Sequence, residues 1–168
     1  QEAAADAAVE AVVVAAEGKF WSNGLDLKWV DANPSDAGRH VEAVNDLMKT
    51  ILTFPVPTIA AFQGHWCAAG GMLGLCFDYR VMNSEKGFFF VPGVDLGLVY
   101  SQFQIELMKA KLPQSMHRKV IIYNSQRWLA ADLLEQGVVD KTAPERSLLE
   151  EAEGLAQALR PKGSGPAR

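Results

Sequence analysis

The sequence predicts an α/β fold in which mainly parallel strands alternate with helices. Two observations carry this prediction. Short apolar runs at residues 9–15 and 58–63 have the length and composition of buried strands, and each leads into a glycine-containing loop. Between them, residues 40–54 repeat apolar side chains at helical spacing. A chain of 168 residues, 49% of them apolar, is long enough for one domain with a substantial core.

The first half of the chain divides into five predicted elements. The Ala-rich residues 1–8 are typical of a helix end, and the β-branched residues 9–15 predict a buried strand. Residues 20–27 are rich in turn formers around Asn-Gly, and residues 31–38 predict a loop. The amphipathic helix predicted at 40–54 is ended by two nearby prolines.

The second half begins with a predicted buried strand at 58–63 and a Gly/Ala-rich loop that runs into a helix of small residues. The later predictions are strands at 79–82, 88–91 and 137–140, helices at 101–111, 114–124, 127–136 and 145–160, and a mobile tail. We expect a core at residues 1–145, followed by a C-terminal helix and tail at 146–168.

Composition excludes several functional classes. The net charge is −4 with the two signs mixed along the chain, which argues against a nucleic-acid partner. No apolar run reaches the roughly 20 residues that a transmembrane helix needs. Cys67 and Cys76 lie in an apolar stretch, and two buried reduced thiols are favoured over a disulfide. No Cys/His group has zinc-like spacing, so no metal site is expected.

Residues 22–27, SNGLDL, form the first candidate binding loop. They follow a predicted strand, and ligands of parallel α/β sheets bind at the carboxyl ends of strands. Gly24 permits an unusual backbone turn that leaves the N–H of Leu25 directed at a ligand. The alternative is a plain strand-to-helix turn built on Asn-Gly.

Residues 64–72, GHWCAAGGM, form the second candidate loop. They open a helix, whose N-terminus offers unpaired N–H groups, and the small residues Ala69, Gly70 and Gly71 allow close approach. The alternative is tight helix packing through small residues.

Together, two N–H groups from these separate loops can donate to one carbonyl oxygen. That oxygen gains negative charge when a thioester enolises. In favourable cases each such donor lowers the barrier by about 3–4 kcal/mol.

Four segments resemble the crotonase superfamily of enoyl-CoA hydratases and isomerases, in family order. FWSNGLDLKWV is similar to the family's F-x-S-G-x-D-L/I loop, and PTIAAFQGHWCAAGGMLGLCFDYRVM to its strand, Gly-rich loop, helix and strand. VPGVDLGLV is similar to the P-E-I/V-x-L-G-L segment, and RWLAADLLEQGVVDKTAP to the late helix-strand unit. Within the superfamily the chain looks most like the enoyl-CoA delta-isomerases of plants and protists.

The resemblance implies a crotonase (ClpP-like) spiral of ββα and βαβ turns with C-terminal helices, shortened at both ends relative to the family. It implies an oxyanion hole formed by Leu25, Ala69 and Gly70. The further residues expected near the substrate are Asn23, Gly24, Asp26, Trp66 and Gly71. Of these, Asp26 belongs to the loop pattern and suits a structural role, and core packing is the more ordinary role of the tryptophans.

The resemblance also implies a ligand and an assembly. Isomerases of this kind move a double bond of an acyl-CoA from the 3 to the 2 position, with a carboxylate carrying the proton. No cofactor is implied beyond the CoA thioester as substrate or ligand. A homotrimer or an assembly with unlike subunits is expected. The terminal residues GPAR are not a peroxisomal S-K-L address, which favours the mitochondrion over the peroxisome.

Both carboxylate positions of the family are changed in this sequence. Met72 stands where hydratases carry the first glutamate, and Gly93 stands where hydratases and isomerases carry the second. A positioned base contributes about 10²–10⁴-fold to the rate, so its loss predicts weak or absent catalysis. Asp95, two residues further on, shares a face with residue 93 if the segment is a strand. Glu106 suits a solvated helix position better.

Two functions follow from these residues. The first is an isomerase-like or hydratase-like protein that binds an acyl-CoA thioester with weak or lost catalysis. The second is a non-catalytic accessory subunit of a larger, mitochondrial complex.

Overall fold

The computed structural model describes residues 6, 8–122 and 126–163, with side chains described as far as residue 159. The chain forms seven short strands within these ranges. They are β1 Val12–Val14, β2 Phe20–Ser22, β3 Thr58–Phe62, β4 His65–Cys67, β5 Tyr79–Asn83, β6 Phe89–Phe90 and β7 Lys141–Ala143.

The strands form two parallel sheets. Four strands pair in the order β1-β3-β5-β7, and the other three pair in the order β2-β4-β6. Every residue of β3 is buried, as expected for the centre of a parallel sheet covered on both faces. The predicted α/β class with parallel pairing is therefore confirmed.

The described part of the chain also forms seven α-helices. They are α1 Leu27–Ala32, α2 Ala37–Leu52, α3 Ala68–Leu75, α4 Gln102–Lys111, α5 Gln114–His117, α6 Ala130–Glu135 and α7 Leu148–Gly163. A π-helical turn over Arg118–Ile122 continues α5, and a 3₁₀ turn over Glu145–Ser147 precedes α7. Ser101 starts α4 with a capping box, in which its hydroxyl accepts from the Gln104 N–H while the Gln104 side chain accepts from the Ser101 N–H.

The N-terminal half differs from the prediction in four elements. The strand expected at 9–15 is only three residues long and half-buried, because β1 lies at the edge of its sheet. The strands β2 and β4 and the helix α1 were not predicted. All three are short, and the small residues around β4 gave no period-2 alternation to identify it.

Residues 137–140, predicted as a strand, instead form the turn that follows α6. Gly137 has φ +68°, and the N–H of Val138 donates to the carbonyl of Leu133 at 2.8 Å, which is a Schellman-type helix end. The buried Arg80 donates to the Val138 carbonyl at 2.5 Å and holds the turn against β5. The strand begins later, at Lys141.

The helix predicted at 127–136 also begins later. Residues 127–129 are extended, because Trp128 exchanges backbone hydrogen bonds with Phe89 at 2.9 and 3.0 Å. The end of the helix predicted at 114–124, most of the helix end at 1–8, and the tail from residue 164 lie outside the described residues.

Two apolar clusters hold the layers together. The larger one lies around α3 and includes Trp21, Trp66 and Trp128. The smaller one packs Leu148 and Ala152 of α7 against the four-stranded sheet. In the described part of the chain, no helix is long and apolar enough to cross a membrane.

Both cysteines are buried and reduced, as predicted, and Cys76 lies in the larger cluster. Burial raises the pKa of the Cys67 thiol to about 11 and that of Cys76 to about 12. The Cys76 thiol donates to the Met72 carbonyl at 3.3 Å. These thiols serve as small apolar side chains rather than as nucleophiles.

Candidate functional site

The loop after β2 lies directly on the start of α3. Gly24 has φ +86°, a conformation that L side chains rarely adopt. A Cβ at Gly24 would lie 2.9 Å from the Ala69 nitrogen and 3.0 Å from the Ala68 Cβ. Glycine is therefore required here for two reasons, the backbone conformation and the close approach of the two loops.

The N-terminus of α3 carries no side-chain cap. The N-cap residue is Cys67, which makes no capping hydrogen bond, and Ala68 has φ +51°. The N–H groups of Ala69 and Gly70 lie in the first helical turn, where the helix supplies no carbonyl partner. They are therefore available as donors at a helix end that carries partial positive charge.

A second close approach joins the same two segments. A Cβ at Gly70 would lie 2.3 Å from the Ser22 Oγ and 2.7 Å from the Ser22 carbonyl oxygen. Ser22 is the last residue of β2 and pairs in register with Trp66 of β4. The parallel pairing of these two strands therefore brings both predicted loops to one edge of the three-stranded sheet.

A cavity of about 340 Å³ opens where the loops meet, within the usual size range of small-molecule sites. Its walls are formed by Ser22, Gly24, Leu25, Asp26, His40, Val44, Leu47, Ala69, Gly70 and Leu73. The N–H of Leu25 makes no hydrogen bond to any residue in the described ranges. The three predicted oxyanion residues, Leu25, Ala69 and Gly70, thus line one cavity.

The helix α2 contributes a wall that was not predicted from the sequence. His40, Val44 and Leu47 line the cavity and are spaced i, i+4 and i+7, the spacing of one helix face. That face was identified as apolar, but its direction was not predictable from the sequence. Leu73 of α3 completes the apolar part of the wall.

Three predicted substrate contacts do not line the cavity. Trp66 is fully buried and stacks on Phe62 with ring centroids 4.1 Å apart, so it is a core residue. Gly71 packs against Phe89, whose ring would lie 3.0 Å from a Cβ at that position. Asn23 is exposed and lies outside the cavity wall.

Asp26 lines the cavity and has a structural task as well. Its carboxylate caps α1 by accepting hydrogen bonds from the N–H groups of Lys28 and Trp29, both at 3.1 Å. The same carboxylate oxygen, Oδ1, accepts both bonds. This arrangement supports the structural role expected for Asp26.

Neither Met72 nor Gly93, the two positions predicted for the family's glutamates, holds a group that can carry a proton. Met72 is 3% exposed and lies in the larger apolar cluster. Gly93 is buried under the ring of Tyr100, so that a Cβ there would lie 2.4 Å from the Tyr100 hydroxyl oxygen. The space beside residue 93 is therefore filled by a phenol.

The Tyr100 phenol is itself a poor base. Burial raises its pKa above the ordinary value, although hydrogen bonds with the backbone of Gly93 and Val94 act in the opposite direction. Its hydroxyl donates to the Val91 carbonyl at 3.3 Å. At neutral pH the group stays protonated.

The two alternative carboxylates do not line the cavity. The strand geometry assumed for Asp95 is wrong, because residues 93–97 form hydrogen-bonded turns in which the Leu98 N–H donates to the Gly93 carbonyl at 2.8 Å. Asp95 is exposed on these turns. Glu106 is exposed on α4 and pairs with Lys109 at 2.9 Å. Among the residues that the structure describes, no group of three His, Cys, Asp or Glu is arranged to hold a metal ion.

Comparisons with known proteins identify the family of this chain. Residues 1–166 match the sequence model of the enoyl-CoA hydratase/isomerase family. The chain is 33% identical over 138 residues to enoyl-CoA delta isomerase 2, peroxisomal, of Arabidopsis thaliana, covering 79% of this chain and 58% of that protein. It is 31% identical over 153 residues to enoyl-CoA hydratase domain-containing protein 3, mitochondrial, of Rattus norvegicus, covering 90% and 50%.

A solved structure shares the fold. An enoyl-CoA hydratase from Mycobacterium marinum superposes with a TM-score of 0.84 at 24% identity, over 95% of this chain and 69% of that one. The chain therefore spans between half and two thirds of the length of these two curated relatives. The family match over 1–166, together with the parallel sheets and glycine-built loops, shows that this chain belongs to the enoyl-CoA hydratase/isomerase family and has its crotonase-like fold.

Proposed function

We propose that this chain binds an acyl-CoA thioester, with the carbonyl oxygen held between the N–H of Leu25 and the N–H groups at the start of α3. The observation that carries this proposal is the single cavity shared by Leu25, Ala69 and Gly70. Backbone N–H groups fixed in a partly dry site stabilise the negative charge that a thioester oxygen gains on enolisation. The apolar side chains of Val44, Leu47 and Leu73 suit the acyl chain.

We further propose that the carboxylate-dependent reaction of the family is weak or lost in this chain. Met72 is a core residue, and the space at Gly93 is taken by Tyr100. The relatives are named as isomerases and hydratases. We assign their class of ligand to this chain, but not their glutamate-dependent reaction.

Titration calorimetry tests the binding proposal. The ligands are butyryl-CoA and free CoA, and the variant Leu73→Trp adds a large side chain to the cavity wall. We expect heat with butyryl-CoA, weaker binding of free CoA, and loss of butyryl-CoA binding in Leu73→Trp. Absence of heat from the native protein at millimolar butyryl-CoA would reject the proposal. Turnover of a 3-enoyl-CoA at the rate of ordinary isomerases would reject the loss of catalysis.

We also propose that the chain works in an assembly, either a homotrimer or a complex with unlike subunits. Support comes from the segment after Gly93, where Val94, Leu96, Leu98 and Val99 are all exposed. Clusters of exposed apolar side chains mark contact surfaces more often than free ones. Native mass determination distinguishes the two assemblies, and a monomer would contradict both.

The relatives are named for the peroxisome and for the mitochondrion. The mitochondrion stays our prediction for this chain, and cell fractionation tests it.

A further inference from the structure

We infer that His40 is the group that exchanges a proton with the acyl-CoA thioester in this cavity. The inference rests on the proposed function and deepens it, because it names a proton carrier for a site that has lost the glutamates of its family. The observation behind it is that His40 lines the same cavity as Leu25, Ala69 and Gly70.

The other polar side chains of the cavity are held by backbone N–H groups. Asp26 accepts two N–H groups at the start of α1 through Oδ1, and this tie opposes movement of the carboxylate toward a substrate. Ser22 accepts from the Gly24 N–H at 3.4 Å, and a neutral hydroxyl is not a base at neutral pH. His40 is the one remaining titratable side chain among the wall residues that the structure describes.

The imidazole is positioned and still available. His40 lies in the first turns of α2, on the face that also carries Val44 and Leu47 into the wall. Its ring packs beside the Trp29 indole with centroids 5.0 Å apart and planes tilted by 43°. Neither ring nitrogen makes a hydrogen bond to another residue in the described ranges, so a nitrogen lone pair is open to a substrate proton.

The reaction needs no group beyond those of the cavity. The ring nitrogen of His40 that carries no proton takes a proton from C2 of the acyl chain. The C–H electron pair moves into the C1–C2 bond, and the thioester oxygen becomes an oxyanion held by the N–H groups of Leu25 and Gly70. Return of the proton to C2 gives exchange with solvent, and return to C4 of a 3-enoyl-CoA gives the 2-enoyl-CoA. Histidine is the side chain most often used for such transfers.

Exchange of the C2 protons of butyryl-CoA in D₂O, followed by NMR, measures this step directly. We expect exchange with the native protein, and a rate lower by about 10²–10⁴-fold in both His40→Ala and His40→Gln. His40→Ala shortens the side chain and leaves room for a free base, so added imidazole should restore exchange in proportion to its concentration. A histidine with a purely structural role would show no such rescue.

The controls separate this inference from the proposed function. His117→Ala removes a ring that hydrogen bonds the Leu112 carbonyl at 2.9 Å and lies outside the cavity wall, so exchange should stay unchanged. Calorimetry with butyryl-CoA checks that each His40 variant still folds and binds. Native-like exchange in His40→Gln, or a native protein that binds butyryl-CoA without exchanging its C2 protons, would overturn the role of His40 alone. A native protein that does not bind would overturn both proposals.

Discussion

Substitution of Gly93 by alanine should destabilise the protein through a single neighbour, Tyr100. The added Cβ would lie 2.4 Å from the Tyr100 hydroxyl oxygen, 2.5 Å from Cε1 and 2.6 Å from Cζ. These distances are about an ångström shorter than an ordinary contact between heavy atoms. Forced overpacking of this kind costs about 1–3 kcal/mol, and we expect Gly93→Ala to lower the free energy of unfolding by that amount.

A double-mutant cycle isolates the contact. Tyr100→Leu removes the hydroxyl, Cζ and the ring edge that the new Cβ meets, so Gly93→Ala should cost much less in that background. We expect a coupling free energy of about 1–2 kcal/mol between the two positions, within the range seen for residues in contact. Urea denaturation gives the free energy of unfolding of the four proteins in the cycle, which can be compared when all four have the same m-value.

Gly154→Ala is the matched control. This glycine lies in α7 with nothing within 4 Å of a Cβ, so alanine there should stabilise the protein by about 0.5–1 kcal/mol. Equal costs of Gly93→Ala in the native and Tyr100→Leu backgrounds would refute the reasoning. The same contact predicts that Gly93→Glu alone gives no gain of isomerase turnover, because the phenol takes the space that the carboxylate would need.

Further predictions concern Arg80, the thiols and Gly24. Arg80→Met should lower the free energy of unfolding by about 2–5 kcal/mol in urea denaturation, because the buried carbonyls of Val138 and Phe77 each lose a charged donor. Iodoacetamide at pH 8 should label Cys67 and Cys76 only after unfolding, since a pKa of about 11 or above leaves roughly a thousandth or less of either thiol ionised. Because both thiols have raised pKa values in the folded protein, the folded state keeps its full stability below the ordinary thiol pKa. It loses stability relative to the unfolded state as pH rises above that value. Gly24→Ala, with φ +86° and a Cβ 2.9 Å from the Ala69 nitrogen, should cost about 1–3 kcal/mol and weaken butyryl-CoA binding in calorimetry.

These predictions have different origins in the sequence and the structure. The two loops that line the cavity were predictable because a glycine turn and a helix N-terminus are local features that short stretches of sequence encode. The assignment of the family's glutamate positions to Met72 and Gly93 stays a prediction, which uses motif spacing and no tertiary contact. The strand at 137–140 was wrong because Gly137 ends a helix there, a choice stabilised by the distant Arg80.

The sequence by itself determined the parallel α/β class, the family resemblance and the two glycine-built loops, and it placed Met72 and Gly93 at the positions predicted for the family's glutamates. The tertiary structure decided which side chains surround those loops. It placed Trp66 in the core, closed the space at Gly93 with Tyr100, and turned His40 toward the cavity. The physical reason is that a backbone turn depends on its own residues, whereas the wall of a cavity depends on how separate helices pack together.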